Sequence, residues 1–323
     1  MNNRRSVLRA VLGGAALISA GRLGAQTWPE RSIRLIVPTA PGPFDAIARL
    51  IGERLGKALG QPVVIDNIPG ATGTIGTAAM ARAAPDGYTI SLGIMPLAIG
   101  QTLFPKLSYD IRRDVAPIVQ ISWGYNILVV HPSLPVKSVG ELVAYAKANP
   151  GKLNYGSGGN GAPAHIAAEF FKQETGIDML HVPFKSAAPA VQELLAGRIQ
   201  VMFGLAPGVI PHIKAGSLRP LAVVGQKRLP AVPDIPSMGE AGYPNVTVTD
   251  WMCFLAPAGT PADIIARLNR EVNLILFQPD VRERLAAGNV EVVGGTPEEL
   301  RRLIASDTER WAKVIRAAGI RLD

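Results

Sequence analysis

A single cysteine, Cys253, in 323 residues leaves the chain unable to form an intrachain disulfide. Nothing in it can therefore mispair in an oxidising compartment. Cys253 sits in the apolar run 251–255, where it reads as a small buried hydrophobe and not as a reactive thiol. Aromatic residues are scarce at 6%, and charged residues make up only 18%. The formal net charge is +8, yet Arg4, Arg5, Arg9 and Arg22 fall in residues 1–25, a segment that holds no acid. Beyond it there is no long basic run and no interleaving of basic with aromatic residues, so no nucleic-acid partner is expected. The apolar stretch 118–131 is too short for a membrane span and is interrupted by Ser122, Gly124 and Asn126. There is no tandem repeat, which argues against a solenoid. P-loop and H-E-x-x-H motifs are missing too. What is there is 48% hydrophobic residues with 34 glycines and 27 prolines, the composition of a packed globular protein with many short loops.

Residues 1–25 read as an export signal. Paired arginines at Arg4 and Arg5 open a basic segment, an apolar run over 11–20 follows, and small residues end at Ala25. The pattern resembles a twin-arginine signal, with Asn3 and Val7 where Ser and Phe are favoured. The general secretory route and the exact cleavage point both stay open, because Leu23 is a poor residue three before the cut.

From residue 33 onward strand and helix alternate. Strands are expected at 33–38, 63–66, 89–92, 127–131, 153–155, 179–183, 201–203 and 221–224. Helices are expected from Asp45, at 78–84, 139–148, 163–175, 189–196, 261–277 and 297–318. The alternation predicts an α/β protein with parallel pairing, most simply in two lobes.

Three strand-to-helix loops could carry chemistry. The first holds Thr39, Pro41, Gly42, Phe44 and Asp45. A helix start beyond the carboxyl end of a strand can take an anion, and the same residues could simply turn the chain with Asp45 as helix N-cap. The second is 155–161, in which Gly156, Gly158 and Gly161 match G-x-G-x-x-G. A dinucleotide would need an acid at the end of the next strand, whereas Asp178 precedes it. The backbone can still cradle a carboxylate, helped by Ser157 and Asn160. Ser157 is not in a nucleophile elbow, since Tyr155 stands where that motif has glycine. The third candidate, His165, is four residues before Glu169, and no further cluster offers the ligands a metal would need. A structural hydrogen bond is the plainer role for it.

At these loops the chain resembles the Bug family of periplasmic solute receptors, the TctC-like substrate-binding proteins of tripartite tricarboxylate transporters. The resemblance rests on Ile33-Arg34-Leu35-Ile36-Val37-Pro38, Ala84-Pro85-Asp86-Gly87-Tyr88-Thr89, Leu134-Pro135-Val136-Lys137-Ser138-Val139, Gly151-Lys152-Leu153-Asn154-Tyr155-Gly156-Ser157, His181-Val182-Pro183-Phe184-Lys185 and Leu255-Ala256-Pro257-Ala258-Gly259-Thr260-Pro261. It implies a type II Venus-flytrap fold, each lobe a mixed, mostly parallel sheet flanked by helices. The expected lobes are 26–125 with 251–323, and 126–250. It also implies a periplasmic, non-enzymatic and monomeric receptor without metal or cofactor, which hands a small organic acid to integral membrane subunits. Carried over by motif, the ligand would meet Thr39, Pro41, Gly42, Phe44 and Asp45 in one lobe. In the other it would meet Ser157, Gly158, Asn160, Gly161, Ala162 and His165, with Phe184, Ser186 and Ala187 on the far wall and Leu205 and Trp251 at the margins.

The chain departs from the family pattern in several places. The first loop is one residue shorter than Pro-Gly-Gly-x-x-Asp, and Pro43 removes an N–H donor. Ala162 and Pro163 replace hydroxyl residues, Ser186 replaces Gly, and Gly204 stands for the usual Asp. Fewer donors and one carboxylate less predict a bulkier or less polar acid than a compact di- or tricarboxylate, such as an aromatic acid stacked on Phe44. The alternatives are a ligand sensor signalling to a membrane partner, an enzyme using the same cleft, and a dinucleotide-binding enzyme.

Overall fold

The computed structural model describes residues 28–104, 106–317 and 319–320. The expected export signal lies outside the described residues. In order, the chain forms β1 (Ile33–Val37), α1 (Pro43–Leu59), β2 (Val63–Asn67), α2 (Thr74–Ala81), β3 (Thr89–Ile94), α3 (Pro96–Leu103), β4 (Val115–Val130) and α4 (Val139–Ala148). It continues through β5 (Asn154–Ser157), α5 (Pro163–Thr175), β6 (Leu180–Pro183), α6 (Ala187–Leu195), β7 (Val201–Leu205), α7 (Ala206–Lys214) and β8 (Arg219–Val223). It ends with β9 (Thr249–Pro257), α8 (Ala262–Leu276), α9 (Pro279–Ala287), β10 (Glu291–Gly294) and α10 (Pro297–Ala317).

The sheet path is β2-β1-β3-β9-β4-β7-β5-β6, with β8 and β10 attached to β4. Its outer strands are parallel: β1 with β2 and β3, and β5 with β6 and β7. These are the strands joined through helices, as right-handed crossovers require. The centre is antiparallel. The first part of β4 pairs with β9, from Val115 opposite Pro257 to Tyr125 opposite Thr249, and with β10 on its other edge. From Asn126 onward β4 pairs with β7, and from Ile127 with β8. One strand of 16 residues thus serves two sets of neighbours. At roughly 3.3 Å per residue it runs about 50 Å. Register shifts after Pro117 and Gln120 against β9, and after Leu128 against β8, bend it along the way.

Both faces of the sheet are covered. Ile33, Leu35, Ile51, Leu55, Leu268 and Val272 form one buried cluster in which α1 and α8 meet β1. Tyr155, Phe171, Phe203, Trp251 and Trp311 belong to a second, which reaches from β5 to α10. Local signals start the helices as the residues allow. Thr296 Oγ1 accepts from Glu299 N at 3.2 Å while Glu299 Oε2 accepts from Thr296 N at 2.7 Å, a reciprocal cap for α10. Ser138 caps α4 by accepting from Glu141 N at 3.1 Å.

The expected elements are found with shifted ends, and others were not anticipated. The first part of β4 had no clear period, because Gln120, Ser122, Gly124 and Asn126 interrupt its apolar residues. Helices α3, α7 and α9 have eight or nine residues each, too short to show periodicity. One expectation needs correcting. Asp45 is not the N-cap of α1: that position is Gly42, Pro43 is the first helical residue, and Asp45 lies inside the first turn.

Leu128 is fully buried on the strand that both sets of neighbours use. Leu128→Ala should cost about 2–5 kcal/mol and move one cooperative unfolding transition, followed in urea by fluorescence and circular dichroism together. Two separable transitions, only one of them shifted, would show that the halves of the sheet fold independently.

Candidate functional site

The strands of the two parallel sets end on a common gap. Pro38, Thr39, Phe44, Pro69, Gly70, Thr72, Gly73, Ile94, Pro96, Ala162, Pro163, Leu205, Asp250 and Trp251 line a cleft of about 280 Å³. The first seven of these follow β1 and β2, Ile94 ends β3 and Pro96 follows it, Ala162 and Pro163 follow β5, and Leu205 ends β7. The cleft therefore sits at the carboxyl ends of parallel strands, where open α/β sheets bind ligands.

Helices start all around it. Phe44 is in the first turn of α1, Gly73 precedes α2, Pro96 opens α3, Ala162 precedes α5 and Leu205 precedes α7. Among the described residues, no side chain caps any of these helices. Each helix start carries about half a positive charge and N–H groups without intrahelical partners. Pro near the start of α1, α3, α5 and α7 removes some donors and leaves the dipole. Among the described residues no lysine or arginine lines the cleft. Thr39 Oγ1 is buried there without a partner. Ala71 and Thr72 both hold positive φ, at 44° and 55°, which is uncommon for residues with a side chain.

Five of the expected contact residues line this cleft together: Thr39, Phe44, Ala162, Leu205 and Trp251. The others are in the surrounding loops or in the strand and helix ends that flank them. Pro41, Gly42, Asn160, Ser186 and Ala187 are exposed, Phe184 is half-buried, and Gly158 packs against Ala187. Asp45 pairs with Arg49 at 2.8 Å. Arg49 also donates to Asn67 Oδ1, and Asn67 donates to the Thr39 carbonyl at 3.1 Å. The Arg49 hydrogen bond holds the Asp45 carboxyl below its ordinary pKa. Asp45 thus ties the first loop to β2.

Ser157 and His165 stand behind the second loop. Ser157 is fully buried and its Oγ meets His181 Nε2 at 2.7 Å. Gly161 N donates to His165 Nδ1 at 3.0 Å, which places the His165 proton on Nε2. The His165 and His181 rings stack at 3.9 Å and 7°, and Tyr155 stacks on His181 at 4.8 Å. Tyr155 donates to Glu169 at 2.6 Å, and Lys172 bridges to Glu169 at 2.8 Å. Burial lowers both imidazole pKa values, and the neighbouring His165 lowers that of His181 further, to about 4. The pair is a neutral pedestal for residues 157–161. The glycines have packing reasons: a Cβ on Gly156 would meet Ile199 Cδ1 at 2.2 Å, and one on Gly158 would meet Ala187 N at 3.0 Å.

Sequence reasoning missed two parts of the cleft. The turn 69–73 was read only as glycine-rich, and Asp250 was not singled out. Asp250 pairs in register with Gly124 at the point where β4 changes neighbours, and its Oδ2 accepts from Asn126 Nδ2 at 3.2 Å. Desolvation first, then the Asp307 carboxyl, raise its pKa to about 7 against the Asn126 hydrogen bond. Asp307 accepts from Trp251 Nε1 at 2.7 Å, which fixes the indole along the cleft wall. Among the described residues no cluster of three or more His, Cys, Asp or Glu could hold a metal ion, and no helix is long and apolar enough to cross a membrane.

The chain matches the family described as "Tripartite tricarboxylate transporter family receptor" over residues 47–320. It is 38% identical to Protein BugT of Bordetella pertussis over 306 residues, which is 94% of each chain. Among solved structures, the R. palustris protein Rpa4515 with adipate has a TM-score of 0.81 and 36% identity, over 91% of this chain and 99% of that one. MatC from Rhodopseudomonas palustris with bound malate has a TM-score of 0.78 and 33% identity, over 89% of this chain and all of that one (100%).

The pedestal makes a pH prediction. His181 takes up its proton less readily in the folded chain than in the unfolded one, so its contribution to stability is present above pH ~6.5 and is lost as the pH falls towards ~4. Allowing for its partly exposed ring, that loss is about 1–2 kcal/mol. His181→Asn should flatten it in urea unfolding at pH 7 and pH 4.5. An equal drop at both values would show that the ring contributes packing alone.

Proposed function

The chain belongs to the tripartite tricarboxylate transporter receptor family, and from that premise we propose that it is a periplasmic receptor for a small organic carboxylate. The observation that carries this reading is the ring of uncapped helix starts, α1, α2, α3, α5 and α7, around a cleft with no basic side chain among the described residues. Such a cleft attracts an anion through backbone N–H groups and dipoles. The neighbours with adipate and malate make a carboxylate the fitting anion.

On this reading Thr39, Phe44, Ala162, Leu205 and Trp251 touch the solute. Pro41, Gly42, Gly158, Asn160, Gly161, Phe184, Ser186 and Ala187 form the rim that meets it on closure. Asp45, Ser157 and His165 hold the loops in place. The walls are mostly Pro, Ile, Leu and aromatic, which favours an acid with an apolar body over a compact tricarboxylate. The lobes are 26–125 with 251–323, and 126–250. What supports this division is the change of β4 partners at Tyr125 and Asn126. A solute touching both lobes stabilises the closed state by its differential affinity for it. The closed receptor, exported by the segment 1–25 and monomeric, is then presented to integral membrane subunits. The chain binds its solute without converting it.

Ala162→Asp tests the electrostatics. A carboxylate at the N-cap of α5 would satisfy the helix and occupy the field meant for the solute. Stability should hold or rise by about 1 kcal/mol, while affinity for whichever acid gives the largest thermal shift in a panel of aromatic, di- and tricarboxylic acids drops at least tenfold by calorimetry. Recovered solute should be unchanged. Silence across the acids with a shift from a nicotinamide cofactor would overturn the reading, and so would turnover of any acid. Citrate bound more tightly than every aromatic acid would overturn the apolar-body part alone.

A further inference from the structure

Asp250 is the one acidic side chain on the cleft wall among the described residues. It is 7% exposed, and its single described hydrogen bond comes from Asn126. Asn126 is fully buried, and its side-chain carbonyl oxygen has no partner among the described residues. The wall therefore offers one carboxyl to the cleft, and behind it the amide of Asn126 supplies a single neutral donor and no counter-charge. A buried acceptor left without a donor is costly, and a buried carboxylate without a counter-charge more so. Phe44 and Trp251 line the same cleft, with Trp251 held by Asp307. Aromatic faces beside a carboxyl suit a cation. The helix starts opposite suit an anion.

We propose that Asp250 is the specificity-determining residue of the cleft, and that it selects a carboxylate that also carries an amino group, taken as the ammonium, over the same acid without it. The inference rests on the carboxylate-receptor reading and names the substrate class of that site. The solute's carboxylate lies at the helix starts and its nitrogen donates to Asp250. The groups that act on Asp250 agree with the assignment. Asn126 from β4 is a neutral donor and Asp307 on α10 disfavours a second negative charge, while Arg310, further along α10, is engaged with Thr247. Without a solute, Asp250 resists ionisation up to about pH 7. An ammonium favours the ionised form, so aminated acids gain affinity as the pH rises through this range. Plain acids lose affinity in the same interval, because a second negative charge appears beside them.

The test uses matched pairs, 6-aminohexanoate with hexanoate and L-phenylalanine with 3-phenylpropionate, titrated calorimetrically into purified protein and its Asp250→Asn variant at pH 5.5 and pH 8. At least one aminated member should bind the wild type tenfold or more tightly than its partner at pH 8, and less tightly at pH 5.5. In Asp250→Asn the preference should shrink to threefold or less. The variant should also melt higher than the wild type at pH 8, since the wild type loses stability as the pH rises from ~4 towards ~7 and asparagine does not. If the variant fails to fold, the opposite pH trends of the two pair members in the wild type decide the matter. Deaminated acids binding as tightly at pH 8, or a preference that Asp250→Asn leaves intact, overturns the inference and leaves the receptor reading standing. No binding by any acid, aminated or not, in the wild type overturns the receptor reading and the inference with it.

Discussion

The antiparallel pairing of β4 with β9 is the constraint on which the rest of the molecule hangs. Nine residue pairs link the two strands, from Val115 with Pro257 to Tyr125 with Thr249. One parallel set then hangs from β9 through β3, and the other from β4 through β7. Parallel strands all end on the same side of their sheet, so each set delivers its strand-to-helix loops to one edge. Joining the sets through a common central pair turns those edges towards each other. The cleft is the result, and it needs no dedicated structure of its own. The bulges in β4 matter here because they bend the one element that both sets share.

The electrostatics of the cleft follow from the same topology. Each parallel crossover ends a strand and starts a helix, so helix starts accumulate where strands end. Each is worth about 0.3–1 kcal/mol to a nearby anion at an exposed site and more where water is excluded. The apolar walls of Pro38, Ile94, Pro96 and Leu205 lower the local polarity and so strengthen charge interactions inside. That strength acts in both directions. It helps a carboxylate at the helix starts, and it burdens Asp250, whose burial raises its pKa. Apolar contact gains only about 25 cal/mol per Å², so placing charge matters more to selectivity in so small a space than adding surface.

Much of the fold could be read from the residues because strong local signals coincided with it. The β-branched run at 33–37 became β1, Pro163 opened α5, and the long amphipathic closing helix became α10. The first part of β4 could not be read, since buried polar residues break the alternation on which such readings depend. For the cleft, Thr39, Phe44 and Ala162 could be singled out, because glycine and proline after a strand mark a turn that can face a ligand. Asp250 could not be found that way. It stands at the start of a strand, where a lone acid has no spacing to distinguish it. Only pairing with Gly124 and the hydrogen bond from Asn126, 124 positions away in sequence, bring it to the cleft.

The residues that resemble a motif and the residues that line the cleft are largely different sets, and the physics explains why. Ser157, Gly158, Gly161 and His165 solve a backbone problem. A tight turn must be held between a strand and a helix, so small residues allow close approach and buried partners satisfy the N–H of Gly161. A side chain doing that work cannot also point at a solute. His165 illustrates this, because its Nδ1 is occupied by the loop it supports and its ring is stacked on His181. The walls come instead from residues free of such duties, among them Phe44, Leu205 and Asp250. On the proposed reading, changing one of these alters what the cleft accepts and leaves the pedestal and its loop as they are. On that same reading, the capacity to hold an anion thus resides in the backbone and the choice of solute in a few wall side chains.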